Sequence, residues 1–168
     1  MPDKRRSNGK RRSGCPVSVS LEIFGDRWSL LIVRDLMVRG YRTFKEFLAS
    51  GEGIASNVLA DRLQRLELSG IINAEREESD NRRINYRLTE KGIDLAPIML
   101  DLLIWGARHE PTGASCSLLL RMEKKRDEIL NEARRRWESD DPTPLIPRFD
   151  SAVARGLGRR QHVSKERL

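Results

Sequence analysis

Residues 43–70 read TFKEFLASGEGIASNVLADRLQRLELSG, and this stretch decides the fold. Thr43 and Glu46 have the spacing of a capping box, which predicts the start of a short helix. The two glycines in residues 50–53 predict a turn, and residues 54–69 predict a longer helix. Two helices joined by a short glycine-bearing turn are the arrangement of a helix-turn-helix.

A second pattern follows directly along the chain. Residues 71–77 (IINAERE) predict a strand, residues 79–83 (SDNRR) predict a turn, and residues 84–88 (INYRL) alternate apolar and polar side chains. Together they predict a β-hairpin with a basic tip, placed where a winged helix carries its wing. The predicted fold is therefore mainly α with a small β-hairpin wing, an α+β winged helix-turn-helix domain with dimerisation helices.

Further helices are predicted on both sides of this unit. Pro16 suits the first residue of a helix that Gly25 stops, and Asp26 suits the cap of the next helix. Thr89 predicts the start of a long helix that runs to about His109. Its apolar stripe exceeds what one small domain covers, which indicates dimerisation.

The remaining segments suggest a division of the chain into three parts. Residues 1–14 hold no large apolar side chain after the first residue and are expected to be a disordered basic arm. Residues 15–110 are expected to form the winged domain with its dimerisation helices. Residues 111–168 are expected to be an extension with one amphipathic helix at about 115–138 and a flexible, proline-broken tail. That helix could extend a dimer interface or cover a ligand pocket, and the pattern does not choose between them.

The net charge of +7 is unevenly distributed. Residues 1–14 hold six lysines and arginines against one acidic residue, whereas residues 15–138 hold twenty of each sign. The basic character therefore lies in the flanks, and charge alone does not distinguish polyanion binding from a solvated tail.

The sequence lacks the residue patterns that enzymes and metal-binding proteins need. The only histidines are His109 and His162, and the only cysteines are Cys15 and Cys116, with no phosphate-cradling glycine loop or nucleophile elbow. The chain is therefore expected to be neither an enzyme nor a metal or cofactor protein. No apolar run approaches the ~18 residues of a membrane helix, so no membrane partner and a cytoplasmic location are expected.

Four short motifs together carry a family resemblance. They are Cys-Pro-Val from residue 15, Gly-Asp-Arg-Trp from residue 25, Leu-x-x-Arg-Leu-x-x-Leu from residue 59 and Leu-Thr-Glu-Lys-Gly from residue 88. In this order and spacing, over about residues 15–110, the chain resembles the HxlR-type winged helix-turn-helix regulators. The resemblance implies a homodimeric DNA-binding regulator, paired through its N- and C-terminal helices, with one recognition helix per subunit.

Helical geometry gives independent candidates for DNA contact. With Leu59 at the centre of the buried face, Ala55, Leu63 and Leu66 complete a core stripe. The opposite face carries side chains that can read base edges or reach phosphate. The predicted DNA-binding residues on this helix are Ser56, Asn57, Ala60, Asp61, Gln64 and Arg65. Those outside it are Arg42 and Thr43 before the first helix, and Arg82 and Arg83 in the wing. Arg62 is expected to pack its stem and reach phosphate or a carboxylate.

The dimer interface and a sensor are predicted elsewhere. The predicted dimerisation residues are Val17 and Leu21 in the first helix and Leu95, Ile98, Met99, Leu102 and Trp105 in the long helix. A cysteine at the position of Cys15 is common in the resembled family, and in some members it responds to oxidants. Because Cys15 also begins a helix, redox sensing is a hypothesis, beside a plain capping or packing role. Cys116 is expected to be a small buried apolar residue.

The functional prediction is a sequence-specific transcriptional regulator acting as a homodimer. The recognition helix would enter the major groove, and the wing would contact the flanking backbone or minor groove. The expected partners are double-stranded DNA at an operator near a promoter, a second copy of the chain, and an unknown small-molecule or oxidant effector. The alternative is a winged-helix protein–protein interaction module without specific DNA binding.

Overall fold

The computed structural model of the chain describes residues 13–77 and 80–145, with only the backbone for residues 80–82. Its elements are α1 Pro16–Phe24, α2 Arg27–Arg34, a π-helical turn Asp35–Arg39, α3 Phe44–Leu48, α4 Ser56–Leu68, β1 Ile72–Glu77, β2 Asp80–Leu88, α5 Glu90–Ile93, α6 Ala96–His109, α7 Cys116–Lys124 and α8 Arg126–Glu138. The predicted fold class is confirmed. Most of the predicted arm (residues 1–12) and the tail from residue 146 lie outside the described residues. None of the helices above is long and apolar enough to span a membrane.

The helix-turn-helix begins at the capping box, as predicted. The Glu46 N–H donates to the Thr43 hydroxyl (3.4 Å), and the Glu46 carboxylate accepts from the Thr43 N–H (2.8 Å). Helix α4 begins at Ser56 rather than at residue 54, because Ala55 is an extended N-cap. Ala55 is exposed, so its predicted place in the core stripe is wrong.

The core forms around α4 and a group of aromatic rings. Leu59, Leu63 and Leu66 are each at most 2% exposed, which confirms the apolar face of α4. Phe47 of α3 meets Tyr41 and Tyr86 edge-on, with ring centroids 6.3 and 6.0 Å away. Burying each such side chain stabilises the fold by roughly 1.5–3 kcal/mol. The core therefore fixes α3 and α4 against the base of the wing.

The wing is a two-stranded antiparallel hairpin. Strands β1 and β2 pair in register from Ile72 opposite Leu88 to Arg76 opposite Ile84, and then shift so that Glu77 lies opposite Asp80. The shift leaves residues 81–83 as a bulge within β2. The predicted turn over residues 79–83 is therefore wrong, because β2 already begins within it.

The predicted continuous helix over residues 89–109 is also wrong, because the structure divides it into α5 and α6. Pro97 lies in the first turn of α6. Its ring nitrogen cannot donate to the carbonyl of Ile93, and its ring would collide with that carbonyl in a continuous helix. After this break, Leu95 packs in the hydrophobic core of the chain, where it is 7% exposed.

Gly92 is required where α5 packs against the segment between α4 and β1. A Cβ atom at this position would lie 2.2 Å from the carbonyl oxygen of Ile71. The Thr89 hydroxyl donates to the carbonyl of Gly70 (2.7 Å) and accepts from the N–H of Gly92 (3.1 Å). The Thr-Glu-Lys-Gly motif therefore joins α5 closely to the segment between α4 and β1.

The described part of the extension folds onto the rest of the chain as two helices. The predicted single helix over residues 115–138 is wrong, since the chain breaks at Lys125 between α7 and α8. Met122 of α7 is fully buried against Val38 and Leu100. The indole N–H of Trp137 in α8 donates to the carbonyl of Leu88 (2.7 Å). Helix α8 is thereby attached to the base of the wing.

Candidate nucleic-acid interface

The outer face of α4 is polar and open to solvent. Its exposed residues are Ser56, Asn57, Ala60, Gln64 and Arg65, and Asp61 is half-buried. This orientation follows from the core stripe on the opposite side of the helix. The predicted direction of these side chains is confirmed, while their contact with DNA stays a prediction.

Two residues of this face belong to a chain of ion pairs. The Asp61 carboxylate pairs with Arg62 and lies 3.0 Å from Nε of Arg65. Arg62 also lies 2.9 Å from Asp26, the N-cap of α2, so the predicted carboxylate contact of Arg62 is confirmed. Surface pairs of this kind are worth about 0–1 kcal/mol, so an exposed Arg65 can leave Asp61 for another anion at little cost.

The N-terminus of α4 leaves backbone donors available. Its N-cap, Ala55, has no side-chain acceptor for the first N–H groups of the 13-residue helix. Uncapped N–H groups and the helix dipole together favour a negative charge at this end. A phosphate oxygen would satisfy donors that the chain itself leaves to solvent.

Arg42 lies in a different environment from the one predicted. Its guanidinium donates from Nη1 to the carbonyls of Leu36 (2.9 Å) and Tyr41 (3.0 Å). Burial lowers the pKa of Arg42 below its ordinary value. The Arg42 guanidinium is therefore partly turned toward the protein, while its contact with DNA stays a prediction. The neighbouring Thr43 hydroxyl takes part in the capping box, and its contact with DNA likewise stays a prediction.

Of the two wing arginines predicted to contact DNA, Arg83 has a described side chain. The Arg83 side chain is 57% exposed and lies 3.2 Å from Glu77 across the hairpin. The backbone of Arg82 lies in β2, and its side chain is outside the described residues. Arg83 is therefore placed to exchange a half-buried carboxylate for a phosphate.

A buried charge network holds the turn between α3 and α4, and the sequence reasoning missed it. Asp35 is 3% exposed and pairs with Arg34 (2.7 Å) and Arg39 (3.2 Å). Arg34 also reaches Glu52 (2.8 Å), and Arg39 donates to the carbonyl of Ser50 (3.1 Å). Burial raises the pKa of Asp35, although both arginines oppose this rise. An aspartate within an apolar stripe, with an arginine four residues later, was the available signal.

Exposed apolar side chains lie on two helices, α1 and α6. They are Val17 and Leu21 on α1, and Ile98, Leu102 and Trp105 on α6. Two of the predicted dimerisation residues are not among them, because Leu95 and Met99 are buried in the hydrophobic core of the chain. We call the five exposed residues the α1/α6 surface.

Both cysteines are exposed free thiols. The backbone N–H groups of Ser18 and Val17 lower the pKa of the Cys15 thiol. Cys116, the first residue of α7, is exposed, so its predicted burial is wrong. Among the described residues, no group of three or more His, Cys, Asp or Glu side chains could hold a metal ion.

Comparisons with known proteins agree with this arrangement. The uncharacterized HTH-type transcriptional regulator Rv3095 of Mycobacterium tuberculosis is 37% identical over 111 residues, covering 66% of this chain and 69% of that relative. The crystal structure of PA1607, a putative transcription factor, matches with a TM-score of 0.55 and 40% identity over 59% of this chain and 68% of that chain. The redox regulator HypR in its oxidized form matches with a TM-score of 0.52 and 31% identity, over 57% of this chain and 98% of that chain.

The family assignment rests on a match between this chain and the sequence pattern shared by one family of proteins. The pattern of the HxlR-like helix-turn-helix family matches residues 23–113, which include α2 to α6 and the wing. Helices α7 and α8 lie beyond the matched region. The chain belongs to the HxlR-like helix-turn-helix family of transcriptional regulators.

Proposed function

We propose that this regulator binds double-stranded DNA sequence-specifically as a homodimer. Helix α4 enters the major groove, and the wing contacts the neighbouring backbone. The single observation that carries the proposal is the exposed polar face of α4, set on a buried leucine stripe and preceded by an uncapped helix N-terminus. Asn57 and Gln64 can form bidentate hydrogen bonds with adenine, and Arg65 can reach phosphate.

The homodimer is proposed from the α1/α6 surface. Five apolar side chains on α1 and α6 are 44–67% exposed, and exposed apolar side chains that cluster on a helix face can mark an interaction site. A two-fold pair joined through this surface would present two α4 helices to successive turns of one duplex. We propose residues 15–110 as the unit that does this, preceded by a basic arm over residues 1–14 and followed by the extension over residues 111–168.

A gel-shift titration tests the DNA proposal. The full chain is titrated, at several salt concentrations, against the DNA upstream of its own gene and against a shuffled duplex of equal length. The expected result is tighter binding to the upstream region. The logarithm of the binding constant should fall linearly with the logarithm of the salt concentration. Equal binding to both duplexes would contradict sequence specificity and would favour a protein–protein interaction module.

Redox sensing by Cys15 is proposed as a second property. The exposed thiol with a lowered pKa supports it, as does the similarity to HypR, a redox regulator. Labelling of the native protein with a thiol reagent tests it, with the Cys15→Ser variant to assign the signal. Labelling of Cys15 no faster than free cysteine, with DNA binding unchanged after labelling, would contradict it.

A further inference from the structure

The last turn of α8 and the base of the wing are joined by hydrogen bonds in both directions. The indole N–H of Trp137 donates to the carbonyl of Leu88 in β2 (2.7 Å). In return, Nη2 of Arg87 in β2 donates to the carbonyl of Trp137. The helix dipole favours a cation such as this guanidinium at the C-terminal end of α8.

The Arg87 side chain makes two further contacts with the extension. Its Nε lies 3.4 Å from Oδ1 of Asp140, in the turn that follows α8. The carbon of its guanidinium lies 6.0 Å from the ring centroid of Trp137, at the outer limit of a cation–π contact. One wing side chain therefore contacts a carbonyl, a carboxylate and an aromatic ring of the extension.

The extension also binds the segment beside the wing. The backbone N–H of Leu145 donates to the carbonyl of Val38 (2.8 Å), just before the helix-turn-helix. The backbone N–H of Tyr86 in β2 donates to the carbonyl of Arg42 (2.7 Å) in the same segment. The extension therefore contacts both β2 and the segment to which β2 is hydrogen-bonded.

The position of the wing depends on such contacts at its base. A hairpin of two strands is at best marginally stable alone, so the elements that pack against it determine its direction. Arg83 lies four residues before Arg87 on the same strand, which is about 13 Å at the usual rise per residue. A change in the direction of β2 at its base would therefore displace the Arg83 guanidinium.

We propose that Arg87 and Trp137 are positioning residues, through which the extension holds the wing where Arg83 contacts the DNA backbone. This role requires no contact between either residue and DNA. It rests on the proposed DNA-binding function, because it concerns the wing as a DNA contact. Helices α7 and α8 lie beyond the residues matched by the family pattern (23–113), so that pattern does not assign them this role.

Hydrogen exchange of the full chain without DNA tests the structural half of the proposal. Trp137→Phe keeps an aromatic ring and removes the donor to Leu88. The expected result is several-fold faster exchange of the amides in β1 and β2, with a smaller change in α4. Unchanged exchange in the hairpin, or an equal increase in α4, would overturn the proposal. Because no DNA is present, this result does not depend on the proposed function.

A double-mutant cycle on DNA affinity tests the functional half. Trp137→Phe is introduced into the wild type and into Arg83→Ala, and each protein is titrated against the DNA upstream of its own gene. Trp137→Phe should weaken binding several-fold in the wild type and change it little in Arg83→Ala, where the wing contact is already lost. A purely structural role would weaken binding by the same factor in both backgrounds, which would overturn the proposal.

Arg135→Gln is the matched control on α8. Arg135 pairs with Glu132 on its own helix, and neither residue contacts the wing through that pair. The control should leave hairpin exchange and DNA affinity unchanged, and an effect equal to that of Trp137→Phe would overturn the proposal. If no variant and no wild-type protein binds DNA, the proposed function fails, while the exchange comparison still decides whether the extension holds the wing.

Discussion

At the scale of single residues, the proposed DNA contacts are of two kinds. Asn57 is a neutral amide near the N-terminus of α4, able to donate and accept on one base edge. Arg83 is a cation in the wing whose present partner is a carboxylate. An amide of the first kind distinguishes bases, whereas a cation of the second kind neutralises a phosphate that every sequence carries.

Asn57→Ala and Arg83→Ala should therefore change different properties of DNA binding. Asn57→Ala should relax the preference at one base pair by about 1–3 kcal/mol, while Arg83→Ala should weaken binding to all sequences and reduce the salt slope by about 1. Binding to a set of single-base operator variants at several salt concentrations measures both effects. The division of roles is contradicted if the two variants change the same quantity by the same amount.

Asp26 should make folding stability sensitive to acid. Burial raises its pKa, but hydrogen bonds from Ser29 and Arg62 outweigh burial and hold the pKa below the ordinary value of 3.8. A carboxyl with a lowered folded pKa stabilises the fold above its unfolded pKa, and this stabilisation is lost as the pH falls through the folded pKa. Asp26 also caps α2 through the N–H groups of Trp28 and Ser29.

Asp26→Asn should therefore flatten the pH dependence of unfolding below about pH 4, because asparagine keeps the cap and loses the titrating charge. Urea unfolding of both proteins between pH 3 and pH 7 measures the difference. Glu110→Gln is a suitable control, since Glu110 is an exposed carboxyl after α6. Parallel stability curves for Asp26→Asn and the wild type would show that this carboxyl is not linked to folding.

At the scale of whole elements, the extension behaves as part of the core. Helix α7 contributes Met122 to a cluster with Val38 and Leu100, and α8 reaches the wing through Trp137. The backbone N–H of Leu145 donates to the carbonyl of Val38 (2.8 Å), which closes the same region. A Cβ at Gly40 would lie 1.8 Å from the carbonyl oxygen of Pro142, so this close approach also requires glycine.

Met122→Ala should therefore destabilise the whole protein by about 2–5 kcal/mol, since it leaves a cavity among buried side chains. Leu120→Ala is the matched control on the same helix, because Leu120 is 51% exposed and its loss should change stability by no more than about 0.5 kcal/mol. Chemical denaturation gives both values. A cost below about 1 kcal/mol for Met122→Ala, or a separate transition for the extension, would show that α7 is not part of the cooperative unit.

Elements whose formation depends on neighbouring residues could be predicted from the sequence. Features that depend on distant segments could not. The Thr43 capping box, the α4 stripe and the hairpin have short-range signals, and all three appear in the structure. The break before α6 had a local signal in Pro97 that the apolar period concealed. The break at Lys125 has no comparable signal, because lysine and arginine continue a helix readily. The inward turn of Arg42 was unpredictable, since its surroundings come from distant segments.

At the scale of the whole molecule, the proposed dimer face and the extension use different apolar residues. The α1/α6 surface remains exposed after α7 and α8 have packed, and it includes Leu21, Leu102 and Trp105. Leu120 of α7 is an exposed leucine outside this surface. A charge placed on the α1/α6 surface should therefore affect pairing without entering the subunit core.

Leu102→Glu should convert the proposed dimer into a folded monomer. Two copies of the new carboxylate would face a closely packed two-fold interface and lose hydration without a partner cation, which costs several kcal/mol of association free energy. Light scattering after size exclusion measures the mass, and a two-half-site duplex in a gel shift measures the consequence for paired binding. Leu120→Glu controls for an added surface charge and should leave both measurements unchanged. A Leu102→Glu protein that remains dimeric, or a wild-type chain that is already monomeric at micromolar concentration, would contradict a dimer formed through α1 and α6.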